Sequence, residues 1–323
     1  MRKYFIIFLV FYLFLSGAYA KVSKSRSIEL DYEAAIQDIP PNTAELKIWL
    51  PYPPQTPYQK VEKVTVFPEE ATLLTYDNTY HNKIIYAYFK SPPDSVNIRV
   101  IYKVRRYADP GRFFKPLPAR SNSDEDLAKY LISHKLMLVS PGIKKMAEDI
   151  TKGKNTTIEK ARAIYDYVFE NVSYDKTMPG WGEGDTNRVC IIKAGNCTDF
   201  HSLFVSLARG CGIPAKFVMG LSIPREKEGE IKGYHCWAEF YDHQLGWIPV
   251  DVSEAAKDKT KKEYYFGSLN EDRVEFSQGR DIILEPPAHS GPLNYFIYPY
   301  VEIDGNNFKD VKTLFRFKDR STG

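Results

Sequence analysis

The sequence predicts an α+β protein: an N-terminal antiparallel β-sandwich followed by a unit of helices packed on an antiparallel sheet. Two patterns carry the prediction. From Ser27 to Arg106 apolar residues recur at every second position, and from Ser140 to Gly212 they recur at every third and fourth, after which a strand and a hairpin return. Aromatic residues at 14%, led by 23 Tyr, suit a strand-rich chain.

In the first region Ile28, Leu30, Tyr32 and Ala34 alternate with Glu29, Asp31 and Glu33, and Val96, Ile98, Val100, Tyr102 and Val104 alternate with mostly polar neighbours. Further strands are expected at Glu45 to Leu50, Lys60 to Phe67 and Lys83 to Phe89. Turn clusters such as Pro40-Pro41-Asn42 and Ser91-Pro92-Pro93-Asp94 separate them. A Pro-, Gly- and Arg-rich stretch from Ala108 to Ser121 marks a boundary. Ser140-Pro141 then sets a cap and a first-turn proline, and Thr156-Thr157-Ile158-Glu159 reads as a capping box. After Gly195, Asn196 caps a third helix whose face is Phe200, Leu203, Phe204, Leu207 and Ala208, ended by Gly212 and Pro214. Ala215 to Leu221 is expected as a strand, and Tyr234 to Tyr241 and Trp247 to Val252 as a hairpin. The predicted organisation is a leader at 1–20, a sandwich at 21–110, a core at 120–256 and a β-rich C-terminal extension at 257–323.

The leader reading rests on Arg2 and Lys3, an apolar run from Tyr4 to Leu15, and Ala18-Tyr19-Ala20, the small-x-small pattern of a cleavage site. The expected location is periplasmic or secreted. No Cys follows the cleavage point, so no lipid anchor is expected there, and the apolar run is short of the roughly 20 residues that span a bilayer. The formal net charge of +3 over 323 residues gives no whole-chain reason to expect nucleic acid as a partner. Oligomeric state is not readable.

Chemistry concentrates around Cys197. It is the first residue of the third helix, where unsatisfied backbone N–H groups and the helix dipole favour a thiolate and can hold an oxyanion. A nucleophilic thiol needs a base that can return the proton, and His235 opens the first strand of the hairpin. Asp251 ends the second, so the turn brings a carboxylate beside the imidazole. By alternation Trp237 shares the His235 face and is expected to wall the cleft, while Cys236 points away, into core or a disulfide. His201 lies one turn after Cys197 with no carboxylate partner in view. Cys190, Cys197, Cys211 and Cys236 allow three disulfide pairings if all are used. A zinc site from Cys190, Cys197, Cys211 and His235 lacks ligand spacing, so neither metal nor cofactor is expected. Arg273 and Arg280 either anchor the tail or bind a carboxylate.

The runs Gly195-Asn196-Cys197-Thr198-Asp199-Phe200, Gly212-Ile213-Pro214-Ala215, Tyr234-His235-Cys236-Trp237-Ala238-Glu239 and Gly246-Trp247-Ile248-Pro249-Val250-Asp251 together resemble the transglutaminase-like superfamily. The resemblance covers about Thr157 to Ala255 and implies a papain-related core. It also implies Cys197 as nucleophile, His235 as general base and acid, and Asp251 as the orienting carboxylate. It further suggests Trp181, in the loop Pro179 to Gly184, as a substrate contact. The superfamily includes cross-linkers, peptidases and inactive scaffolds. The expected function is therefore acyl transfer on a peptide or protein substrate, with hydrolysis favoured because water at about 55 M outcompetes amines unless excluded. The alternative is a non-catalytic binding or scaffold protein.

Overall fold

The computed structural model describes residues 24–69, 72–111 and 124–320. The expected leader at 1–20 and most of the boundary stretch lie outside the described residues. The architecture is the expected α+β one.

Six strands come first: β1 (Ser25–Ile36), β2 (Glu45–Tyr52), β3 (Gln59–Phe67), β4 (Thr72–Tyr76), β5 (Lys83–Lys90) and β6 (Val96–Tyr107). The alternation read from the sequence is what the structure buries. β1 and β6 pair along their whole length, with Leu30 opposite Tyr102 and Tyr32 opposite Val100, and Ile28, Leu30, Tyr32, Ala34 and Ile36 all face the core. β4 escaped the pattern because it has no buried face; Leu73, Leu74 and Tyr76 are exposed.

The helical region follows, with α1 (Asp124–Ala128), α2 (Pro141–Ile150), α3 (Thr157–Asn171), the short β7 (Ser173–Tyr174), α4 (Thr186–Ile192), β8 (Ala194–Gly195) and α5 (Cys197–Gly210). Ser140 caps α2 by accepting the Ile143 N–H, and Thr156 with Glu159 forms the capping box of α3. The remaining elements are β9 (Ala215–Ser222), β10 (Glu228–Glu230), β11 (His235–Asp242), β12 (Gly246–Val250), α6 (Val252–Lys257), β13 (Arg273–Gln278), β14 (Tyr300–Ile303), β15 (Asn306–Asn307) and β16 (Val311–Asp319). Val252 was expected in the hairpin, yet it begins α6, because the Asp251 carboxylate accepts the Glu254 N–H and turns the chain into a helix.

Three antiparallel sheets organise the described residues: β10-β16-β1-β6-β3, β15-β14-β2-β5-β4 and β12-β11-β9-β13. The first two form the sandwich. The segment 257–323 does not stand as a unit of its own. β13 joins the third sheet beside β9, whereas β14 pairs with β2, and β16 pairs with β1 from Ile28–Asp319 to Ile36–Val311. The tail thus completes both sheets of the sandwich.

Helix α5 lies against the third sheet with residues 197–209 all buried, which makes it the central helix of the second half. Among the described residues no helix is long and apolar enough to cross a membrane.

Candidate active site

The start of α5 is fixed by a reciprocal cap. Asn196 Oδ1 accepts the Thr198 N–H at 2.9 Å, and Asp199 Oδ2 accepts the Asn196 N–H at 2.9 Å. Asp199 also accepts the Gly182 N–H at 2.7 Å and the Gly184 N–H at 3.3 Å, so one buried carboxylate ties the preceding loop to the helix. Gly195 is required here, because a Cβ at that position would lie 2.1 Å from Asp199 Oδ2. Cys197 therefore occupies the first helical position, buried at 2% exposure.

β11 and β12 pair with Ala238 opposite Val250, which carries His235 and Asp251 to the same end of the sheet. His235 Nε2 lies 2.7 Å from Asp251 Oδ2. A carboxylate accepts, so Nε2–H donates, and Nδ1 is left for the Cys197 thiol, which hydrogen-bonds with this ring. The charges reinforce one another. The Cys236 thiol's hydrogen bond, with the His235 ring, holds Cys197 well below the usual thiol range against the opposing effect of burial. Burial opposes the His235 imidazolium, but Asp251 and Cys197 outweigh it and raise the ring to about 9. Burial likewise opposes the Asp251 carboxylate, yet His235 and Arg273 keep it ionised far below the ordinary range.

Several side chains in this centre are ones that sequence spacing did not bring together. Arg273 Nη1 donates to Asp251 Oδ2 at 3.1 Å, and its guanidinium lies 5.1 Å over the Trp237 ring. The carboxylate that Arg273 binds is thus the protein's own. Arg280 anchors the tail, donating to Ser202 Oγ at 2.6 Å and to the Glu183 carbonyl at 2.7 Å. His201 is wholly buried, with Nε2 3.5 Å from Asp251 Oδ1. Cys236 does point away from His235, but α5 covers that face, so its thiol lies 3.9 Å from Thr198 Oγ1 and 3.7 Å from His201 Nδ1.

The two tryptophans differ. Trp237 has no exposed surface and supports His235 from 6.4 Å, ring to ring, so it does not wall the cleft; Arg273 covers its outer face. Trp181 is 41% exposed beside Lys176, on the loop held by Asp199. The cleft itself, about 560 Å³, is lined by His235, Tyr234, Tyr174 and Lys257 together with Glu228 and Glu230. Tyr234 Oη meets Asn196 Nδ2 and Thr198 Oγ1, each at 2.9 Å, and so packs over the helix start. All four cysteines are free thiols, and among the described residues no three His, Cys, Asp or Glu side chains gather as metal ligands.

The sequence is 28% identical over 302 residues to an uncharacterized protein of Haemophilus influenzae, covering 81% of this chain and 82% of the relative. It is 27% identical over 159 residues to the uncharacterized protein YebA of Bacillus subtilis, covering 43% of this chain and 21% of that one. The fold matches the crystal structure of a proposed cysteine protease from Cytophaga hutchinsonii with a TM-score of 0.61 at 15% identity, covering 93% of each chain. The sequence model of the transglutaminase-like superfamily matches residues 144–252, the segment that holds α3, α5 and the β9, β11 and β12 strands. Residues 144–252 thus match a transglutaminase-like domain, in keeping with the resemblance carried by the motifs around Cys197, His235 and Asp251.

Proposed function

We propose that the chain is an exported thiol enzyme that performs acyl transfer on peptide or protein amides, with hydrolysis as the main outcome. The observation that carries this reading is the hydrogen-bonded series from Cys197 at the start of α5 through His235 to Asp251, with the imidazole raised and the thiol lowered in pKa. Export is supported by the leader pattern of residues 1–20.

In the proposed reaction the Cys197 thiolate attacks the substrate carbonyl carbon. The Cys197 N–H, which has no acceptor within the helix, faces the developing oxyanion. The His235 imidazolium gives its proton to the leaving amine as the C–N bond breaks, and an acyl-thioester remains. Neutral His235 then takes a proton from water, the hydroxide adds to the thioester, and the C–S bond breaks to restore thiolate and imidazolium. Asp251 holds the ring and its charge throughout. Arg273 keeps Asp251 anionic in a buried setting. Trp181, on the rim loop, is proposed to contact the substrate. Water is favoured as acceptor because the cleft is bordered by exposed charged side chains such as Glu228 and Glu230.

The test begins with alkylation. Iodoacetamide should label Cys197 well below pH 8 and ahead of the other three thiols, and His235→Ala should slow that labelling. A peptide library incubated with and without an amine acceptor, read by mass, then separates hydrolysis from transamidation. Slow labelling that is indifferent to His235, with no product formed, would favour the scaffold alternative.

A further inference from the structure

Both ring nitrogens of His201 are committed. Nδ1 lies 2.8 Å from the Cys197 carbonyl, and Nε2 accepts the Val252 N–H at 3.1 Å. A carbonyl only accepts, so Nδ1 carries the proton; an amide N–H only donates, so Nε2 offers its lone pair. The ring is thereby neutral and fixed in one tautomer. The titratable groups that face it are Asp251, Cys197, His235 and the Cys236 thiol.

The two bonds are not equivalent. The Cys197 carbonyl is in the first turn of α5, where the N–H four residues later also reaches it. Val252 is the first residue of α6, so its N–H has no acceptor inside that helix. The Asp251 side chain serves the Ser253 hydroxyl and the Glu254 N–H instead. The peptide that follows Asp251 is therefore held by the ring of a residue on α5.

We propose that His201 is a positioning residue: by accepting the Val252 N–H it sets the direction of the Asp251 carboxylate and keeps it aligned with His235 and Cys197. The proposal deepens the thiol-enzyme reading and rests on it. It explains why a second buried histidine stands behind the nucleophile without touching the cleft.

Three variants separate the two bonds. In His201→Gln the side-chain oxygen reaches the place of Nε2 and still accepts from Val252; His201→Asn reaches only the place of Nδ1; His201→Leu keeps neither. In folded protein, the Asn and Leu variants should lose about tenfold to a hundredfold in kcat with KM within about twofold, and the pH midpoint of Cys197 alkylation should rise. The Gln variant should stay within about threefold of the parent enzyme. Asn and Leu variants that match the parent in kcat and alkylation profile, or a Gln variant that falls as far as Leu, overturn the proposal. Should the substitutions prevent folding, the unmodified protein decides: nitrogen NMR should show His201 Nε2 unprotonated and accepting between about pH 5 and 9, and a protonated Nε2 refutes the assignment. If the parent itself shows no His235-dependent labelling of Cys197, the reading of the site fails, and that failure is visible before any His201 variant is made.

Discussion

At the residue scale the raised His235 pKa gives the clearest consequence. A histidine held above its ordinary 6.5 contributes stability that is complete below that value and is lost as pH rises through about 9. The same proton is the one delivered to the leaving amine. Peptide hydrolysis should therefore decline as pH is raised through about 9 while alkylation of Cys197 does not, because the thiolate persists after the imidazolium is gone; parallel decline of both rates would count against the assignment. Arg273 offers a second prediction. Both it and Asp251 are buried, and removing one partner strands a charge, so Arg273→Met should cost about 3–5 kcal/mol by urea unfolding. A loss below about 1 kcal/mol would mean that His235 alone satisfies the carboxylate. Cys197, His235 and Asp251 were legible because each occupies a recognisable end of a helix or strand. The Arg273–Asp251 and His201–Val252 pairings were not, since they join residues 22 and 51 positions apart and leave no periodic trace.

At the element scale the start of α5 depends on close approach between Gly195 and Asp199 and on the loop that the same carboxylate ties down. Gly195→Ala should force Asp199 aside, release the Gly182 and Gly184 amides, and lower kcat by about a hundredfold while the thermal midpoint moves only a few degrees. An active Gly195→Ala enzyme would show that the loop has no part in the site. The capped helices α2, α3 and α5 were readable because Ser140, Thr156 and Asn196 announce them. α4 was not: its seven residues follow a Gly-rich loop, and their cap, Asp185, reads equally well as turn chemistry. α6 was hidden for a related reason, because Asp251 serves as a cap as well as the partner of His235.

At the scale of the molecule the sandwich is made of the two ends of the chain. Phe315 of β16 packs on Tyr32 of β1 at 4.5 Å between ring centroids, and both are buried. Phe315→Ala should cost about 3–5 kcal/mol, read from the urea midpoint, with the alkylation rate of Cys197 unchanged in the folded protein. A change in that rate would show that the sandwich sets the geometry of the site. Each strand of the first sheet could be recognised by its alternation, but which strands become neighbours could not, because register between Ile28 and Asp319 is decided by the fit of whole surfaces. The pairing also has a temporal side. In a chain synthesised or threaded from its N-terminal side onward, β1 finds β6 early but waits for β16 until the helices and the third sheet have emerged. During that wait one margin of the sheet is bare, and the nascent protein is open to mispairing and proteolysis until β16 arrives.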